Sequence, residues 1–136
     1  MKIIYFNHYA KPAGFGTPGR AAYLAKYLNE CGHDTLIVAA SHHHTRIRPA
    51  SASEINTVTV HNGIKYLHIR TRPYSGNGVS RILNMRDYVH GIDQVAREIA
   101  NGTLEKPDIV IASSAHIFVY PPTYRLAKQL GIRIIF

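Results

Sequence analysis

The chain has 136 residues, a length that suits a single domain, and its hydrophobic (46%) and charged (18%) fractions are those of an ordinary globular protein. It has no apolar run near the roughly 18 residues that a membrane-spanning helix requires. Its single cysteine, Cys31, excludes an intrachain disulfide and fits a reducing compartment, so we expect a cytoplasmic protein. The net charge of +8 indicates an anionic partner, but Lys and Arg are spread along the chain without a basic tract, which argues against nucleic acid.

The first part of the chain predicts a strand, a loop and a helix. Lys2 to Asn7 is apolar with few charges, as in a strand of a parallel sheet that is buried on both faces. A loop rich in glycine and proline follows from Ala10 to Gly16. Thr17 is suited to cap a helix and Pro18 to occupy its first position, apolar residues then recur at helical spacing, and Gly32 ends the helix.

The middle of the chain predicts three more strands and a long helix. A second buried strand is expected at Asp34 to Ala40, followed by a polar loop from Ser41 to Ser53. Two short strands should flank His61-Asn62-Gly63, because Asn-Gly favours a type I′ hairpin turn. A loop from Arg70 to Gly78 leads to a helix from about Ser80 to Ala100, whose apolar residues keep a helical period.

The last part predicts strand, helix and strand, which completes an α/β pattern. Asp108 to Ser113 is a buried strand, Pro121-Pro122 opens a helix that Gly131 closes, and Ile132 to Phe136 begins a further strand. Strands that alternate with helices imply right-handed crossovers, so the predicted fold class is a Rossmann-like parallel sheet with flanking helices. No helix follows the last apolar strand, so we expect the polypeptide to continue; a small complete α/β domain is the alternative.

The loop before the first helix contains a glycine motif that invites a cofactor interpretation. Gly14 to Gly19 matches G-x-G-x-x-G, but the first strand ends well before it and the second strand ends without a ribose-binding acid, so NAD is disfavoured. Gly14 and Gly16 would still allow close approach of a ligand to the backbone, and Arg20 in the first helical turn would contact a phosphate oxygen. The alternative is a mobile loop without a ligand.

Histidines follow two of the predicted strands. A metal site at His42-His43-His44 is disfavoured, because adjacent residues point in different directions and no carboxylate or Cys stands nearby. We expect a polar loop facing the acceptor, with His42 or a neighbour bonded to a sugar or phosphate. His116 follows a buried strand at the edge where open parallel sheets bind ligands; a histidine bonded to the backbone is the alternative. Ser114 lacks the G-x-S-x-G elbow of hydrolases, and Asp34 and Asp108 start strands at the opposite edge.

Taken in order, these motifs resemble the retaining glycosyltransferases of family 4, which have the GT-B fold. The resemblance rests on MKIIYFNHY before the glycine-rich loop, on GHD before the second strand, and on VAASHHH after it. It continues through GNGVSRILNMR and through PDIVIASSAH, a proline-led helix and RLAKQLGIRIIF. The likeness spans the whole chain. It looks closest to the bacterial transferases that build O-antigen and capsule repeat units on a lipid carrier, including fucosamine and N-acetylglucosamine transferases.

The resemblance implies that residues 1–136 are the acceptor-side half of such an enzyme, with the sugar-nucleotide domain and the catalytic residues beyond Phe136. This half alone is then expected to be inactive. The implied reaction transfers a sugar, usually from a UDP-linked donor, to a polyprenyl-diphosphate-linked or surface-polysaccharide acceptor, with retention and without a cofactor or bound metal. Gly14, Gly16 and Arg20 would face the donor diphosphate, and His116 would face the cleft.

The same resemblance implies a location in the cell, and one other class of protein competes with the transferase interpretation. The positive charge would hold a cytoplasmic enzyme against the anionic inner face of the plasma membrane, where a lipid-linked acceptor is found. The competing interpretation is a non-catalytic α/β domain that binds a ligand or partner, since the chain is short and contains no recognisable catalytic pair.

Overall fold

Six strands form one sheet in the computed structural model, which describes residues 1–136. The strands are β1 (Lys2–Phe6), β2 (Asp34–Ala40), β3 (Val58–His61), β4 (Ile64–Ile69), β5 (Ile109–Ala112) and β6 (Arg133–Ile135). Three helices flank them, α1 (Arg20–Glu30), α2 (Val79–Ala100) and α3 (Tyr120–Leu130), and a 3₁₀ turn at Ile117–Val119 precedes α3. The chain therefore has the predicted α/β class, a Rossmann-like sheet with flanking helices.

The order of the strands is β3-β4-β2-β1-β5-β6, and every neighbouring pair is parallel except β3 with β4. The chain moves from β1 to β2 on one side and later returns to the other side of β1 at β5. The loops that follow β1 and β5 therefore separate at the carboxyl ends of these two strands. In open α/β sheets this reversal point is where ligands bind.

The sheet is buried on both faces, as the apolar character of its strands predicts. On one face α2 and α3 cover a core that includes Phe6, Val38 and Leu126, and on the other α1 covers Tyr5 and Ile37. Successive side chains of a strand point to opposite faces, so β1 and β2 supply both cores. Apart from Thr35 in β2, the buried side chains of these two strands are those of hydrophobic residues.

Helix α2 lies unusually close to the sheet at Gly91. A Cβ atom added to this glycine would overlap Cγ2 of Ile69, so any larger side chain would push the helix away from β4. One turn earlier the buried Tyr88 donates a hydrogen bond from its hydroxyl to the carbonyl oxygen of Val38 at 2.6 Å. These two contacts fix how the first turns of α2 sit above the carboxyl ends of the strands.

Most predicted boundaries agree with the structure to within one or two residues. The hairpin between β3 and β4 is confirmed: Asn62 and Gly63 have φ angles of 50° and 75°, as a type I′ turn requires. Gly131 ends α3, and Pro121 and Pro122 lie in its first turn, as expected. None of the helices combines the length and the apolar character needed to cross a bilayer.

The start of α1 differs from the prediction. Thr17 does not cap the helix and Pro18 is not its first residue; the helix begins at Arg20, after Gly19 with an extended backbone (φ −98°, ψ −178°). The preceding loop is held in the core by Phe15, which is 2% exposed. Because the chain must first return from this buried ring, the helix starts two residues later than the capping pattern indicates.

Candidate functional site

Polar side chains gather at the carboxyl ends of the strands. We call this region, residues 7–20, 41–57, 70–84 and 113–119, the carboxyl edge. The predicted site residues Gly14, Gly16, Arg20, His42 and His116 all lie in it. The loops after β1 and β5 face each other here at the reversal point of the sheet, so the residues that they carry are the first candidates for contact with a ligand.

A chain of three buried side chains crosses the carboxyl edge. His8, two residues after β1, is fully buried, and its ring packs against Tyr88 at 4.6 Å between centroids. Its Nε2 atom lies 2.9 Å from Oδ1 of Asn84 in α2, and its Nδ1 atom lies 2.9 Å from Nε2 of His116 after β5. The contacts join residues 76 and 108 positions apart, so they link three separate parts of the chain.

The direction of every hydrogen bond in this chain follows from Asn84. Its amide nitrogen donates to the carbonyl oxygens of His42 at 3.0 Å and of Arg72 at 2.6 Å, so its oxygen must face His8. An amide oxygen only accepts, and therefore Nε2 of His8 carries the proton and Nδ1 of His8 is an acceptor. His116 must then donate from Nε2, which leaves the lone pair on its Nδ1 atom.

Three buried imidazoles of this edge, those of His8, His43 and His116, are neutral near pH 7. Burial lowers the pKa of His8 well below its ordinary value, and the positive charges of neighbouring residues add to this. Burial also lowers the pKa of His116 to about 4, helped by the guanidinium of Arg81. His43 behaves in the same way: burial and the charge of Arg46 lower its pKa to about 3. These rings therefore act as hydrogen-bonding groups and not as cations.

The histidine at the outer end of this hydrogen-bonded chain has an unpaired acceptor. His116 is only 8% exposed, and its Nδ1 atom is buried without a hydrogen-bond partner. The hydroxyl of Ser114, two residues earlier, is also buried without a partner, so the two groups are not bonded to each other. A buried acceptor without a donor is costly in a folded protein, and at this edge of the sheet it marks a place where a ligand can donate.

Arg20 and the two predicted glycines lie at the same edge of the sheet. The exposed Arg20 side chain donates from Nη2 to the hydroxyl of Ser113 at 2.6 Å and so bridges the loops after β1 and β5. Gly16 has a φ angle of 136°, and a Cβ atom there would lie 2.8 Å from Cε of Lys11. Its close neighbours are thus protein atoms, while nothing lies near the corresponding position of Gly14. The contact of this loop with a diphosphate stays a prediction.

The three consecutive histidines have different partners. The backbone of His42 bonds to Asn84 and Thr71, while its half-buried ring lies edge-on to Tyr74 at 5.8 Å. His43 is buried, with Nε2 3.3 Å from the carbonyl oxygen of Ala10. His44 is exposed, with Nδ1 2.8 Å from the Tyr74 hydroxyl. Nowhere in the chain are three or more His, Cys, Asp or Glu residues arranged to hold a metal ion.

The carboxyl edge carries unpaired positive charge. Five of its cationic side chains form no ion pair: Lys11, Arg20, Arg46, Arg70 and Arg81. At the opposite edge Asp34 pairs with Lys65 and Glu105 with Lys2, each at 2.7 Å. An anion is therefore attracted to the ends of the strands where the histidine chain lies.

Sequence reasoning did not identify His8, Asn84 or Arg81. The signal for Asn84 is that it occupies the buried face of α2 together with Met85 and Tyr88, where an amide needs internal partners. Arg81 lies one turn earlier, on a helix whose first residues face the carboxyl edge, and its guanidinium approaches the Tyr9 hydroxyl at 3.5 Å. The partners of these residues come from distant segments, which periodicity does not reveal.

Comparisons with known proteins support the fold and leave the chemistry open. No protein-family model and no curated protein matches the sequence. Among solved structures, the chain is similar to the C-terminal domain of a hydrogenase from Pyrococcus furiosus, with a TM-score of 0.64 and 17% identity over 98% of this chain and 88% of that one. A second structure of that domain gives a TM-score of 0.63 and 18% identity. At this identity the likeness shows a shared α/β fold alone.

We expect acid to destabilise the protein through its buried imidazoles. The pKa values of His43 and His116 are lower in the folded protein than in the unfolded chain, which therefore binds more protons below about pH 6.5. The free energy of unfolding should fall as the pH drops from about 6.5 towards 4, by up to ~1.4 kcal/mol per pH unit for each histidine. Urea unfolding followed by circular dichroism across this range measures the slope.

A matched pair of variants identifies the source of that slope. His43→Gln should make it shallower, because one buried group no longer takes up a proton on unfolding, whereas His90→Gln removes an exposed histidine and should leave it unchanged. Equal slopes for the unsubstituted protein and His43→Gln would contradict the account.

Proposed function

We propose that this chain is the acceptor-side domain of a retaining GT-B glycosyltransferase of family 4, which moves a sugar from a nucleotide diphosphate to a lipid-linked or polysaccharide acceptor. The observation that carries the proposal is the position of Arg20. This side chain bridges the loops after β1 and β5 through Ser113 and has no carboxylate partner. A free cation is thus held at the reversal point of the sheet, and the ordered sequence motifs point to the same family.

The start of α1 adds a second feature suited to a diphosphate. Gly19 precedes the helix and no side chain caps its first turn, so the first N–H groups have no side-chain acceptor. Free N–H groups and the positive end of the helix dipole favour an anion there. Arg20 begins the same helix. A departing nucleoside diphosphate would be stabilised by these groups as its charge develops.

The acceptor is expected to bind by hydroxyl groups next to that cationic region. The neutral chain of His8, Asn84 and His116 offers hydrogen-bonding atoms without charge, which suits a sugar hydroxyl. The one acidic residue of the carboxyl edge, Glu54, is bonded to Arg48 at 3.3 Å, so this edge has no free carboxylate to repel phosphates. The residues that bind the donor sugar and those that perform the transfer would lie in the second half of the enzyme.

An apolar surface beside the carboxyl edge supports a peripheral place at the membrane. Ile82 and Phe118 are 58% and 50% exposed and line a groove between α2 and α3 together with Pro121. Arg86 and Arg125 line the same groove. Exposed apolar side chains flanked by arginines suit an anionic lipid surface, where a polyprenyl-linked acceptor would be presented to the site.

The transferase proposal is tested with the polypeptide from the complete reading frame, supplied with UDP-sugars and a polyprenyl diphosphate acceptor. It should release UDP, and residues 1–136 alone should not. Arg20→Ala should lower turnover by about tenfold to a thousandfold, the scale for losing one group that stabilises a developing charge. Lys26→Ala, an exposed cation later in the same helix, is the control and should have little effect.

Two results would contradict parts of this proposal. If calorimetry shows no saturable binding of UDP or UDP-sugars by the complete polypeptide, the chain is better described as a non-catalytic binding domain. If turnover by Arg20→Ala equals that of the unsubstituted enzyme, the arginine does not contact the donor.

The membrane proposal is tested by sedimentation with phospholipid vesicles. The protein should bind phosphatidylglycerol vesicles, release them as salt is raised, and bind phosphatidylcholine weakly. Replacing Ile82 and Phe118 by Ser should weaken binding by at least about tenfold, since burying one such side chain contributes ~1.5–3 kcal/mol. Val60→Ser, which removes a 64% exposed valine from β3, is the control. Equal binding to both lipids would contradict a role for the charge.

A further inference from the structure

The unpaired Nδ1 atom of His116 restricts which ligands can bind beside the arginines. Nδ1 of His116 carries a lone pair, because its Nε2 proton is directed at His8 and the orientation of His8 is set by Asn84. Nδ1 lies on the side of the ring away from His8, is buried, and has no partner. Only a group that brings a hydrogen, a hydroxyl or an N–H, can satisfy it. A fully ionised phosphate oxygen cannot.

Two arginines lie at the carboxyl edge together with this acceptor. Arg20 is bonded to Ser113, three residues before His116. Arg81 approaches the hydroxyl of Tyr9, whose ring centroid lies 6.0 Å from that of His116, and it also bonds to Asn77. Neither arginine has a carboxylate partner. Cationic groups and a neutral acceptor therefore lie at the same edge of the sheet.

We propose that the carboxyl edge is a two-part site for a phosphorylated sugar, in which Arg20 and Arg81 bind the phosphate and Nδ1 of His116 accepts a hydrogen bond from a sugar hydroxyl. His8 and Asn84 are positioning residues that hold His116 in the tautomer that accepts. The identification of the ligand as a sugar rests on the function proposed above. That the ligand must carry a hydrogen-bond donor next to an anionic group rests on the geometry alone.

The expected selectivity follows from the cost of an unsatisfied acceptor. An arginine pair by itself binds any phosphate. A site built around a hydroxyl disfavours a ligand that lacks it, because the buried lone pair then stays unpaired. Because leaving a buried acceptor unpaired weakens binding, a sugar phosphate should bind about five- to a hundredfold more tightly than inorganic phosphate.

The test uses the 136-residue chain and two probes, N-acetylglucosamine 1-phosphate and inorganic phosphate, titrated by NMR with nitrogen-15 in the histidine rings. The sugar phosphate should bind more tightly, and it should shift the resonance of His116 Nδ1 towards that of a hydrogen-bonded nitrogen. Inorganic phosphate should leave this resonance nearly unchanged while it still perturbs the amide signals around Arg20. This comparison needs no substitution and so does not depend on the folding of a variant.

Four variants separate the two parts of the site. His116→Phe keeps a ring of similar shape but has no acceptor, so the preference for the sugar phosphate should disappear while phosphate binds as before. His8→Phe leaves Nε2 of His116 without an acceptor, so the other His116 tautomer should appear and the preference should fall. Arg20→Ala should weaken both probes. His33→Gln, at the opposite edge, should change neither.

Several outcomes would overturn the inference. Equal affinity for both probes, no binding of either, or an unchanged preference in His116→Phe would each exclude a hydroxyl bond to His116. A shift of the Nδ1 resonance in free Ser114→Ala would show that the Ser114 hydroxyl already occupies the lone pair. By contrast, if the complete polypeptide transfers no sugar but the probes behave as expected, the inferred site stands and the transferase proposal fails.

Discussion

The amide of Asn84 is the constraint on which the chemistry of the carboxyl edge depends. Two backbone carbonyl oxygens, of His42 and Arg72, hold its nitrogen, so its oxygen can only face His8. The side chain is fully buried, and turning the amide over would set its oxygen against both carbonyl groups and leave them without a donor. One orientation of one side chain therefore determines where the protons lie on His8 and on His116.

The fold supplies this constraint through packing. Gly91 lets α2 approach Ile69, and the Tyr88 hydroxyl fixes the helix to β2, so Asn84 reaches the loops beyond the strands. The interior of the edge is thereby neutral, because its imidazoles are buried and their pKa values are low. The rim is cationic, with arginines that have no acidic partner. This separation suits a ligand that carries a phosphate at one end and hydroxyl groups at the other.

The sequence predicted the architecture well because the architecture depends on local patterns. Apolar runs, helical spacing and the Asn62-Gly63 turn are each encoded within a few neighbouring residues, and the strands and helices are found where these patterns place them. The predicted start of α1 was wrong because the buried ring of Phe15 holds the preceding loop against the core. The joining of His8 to His116 was not predicted, since a contact between residues 108 positions apart depends on the order of the strands. Arg20 and His116 lie at the predicted edge, because the order of strands and loops determines which residues follow the carboxyl ends of parallel strands.

The positions of the ring protons test the central claim most directly. A long-range proton–nitrogen NMR spectrum of the free protein near pH 7, with the His8 and His116 rings assigned, shows which nitrogen of each imidazole is protonated. The account predicts that both rings are neutral and carry the proton on Nε2. A proton on Nδ1 of either ring, or a charged ring, would contradict the direction that Asn84 imposes on the chain.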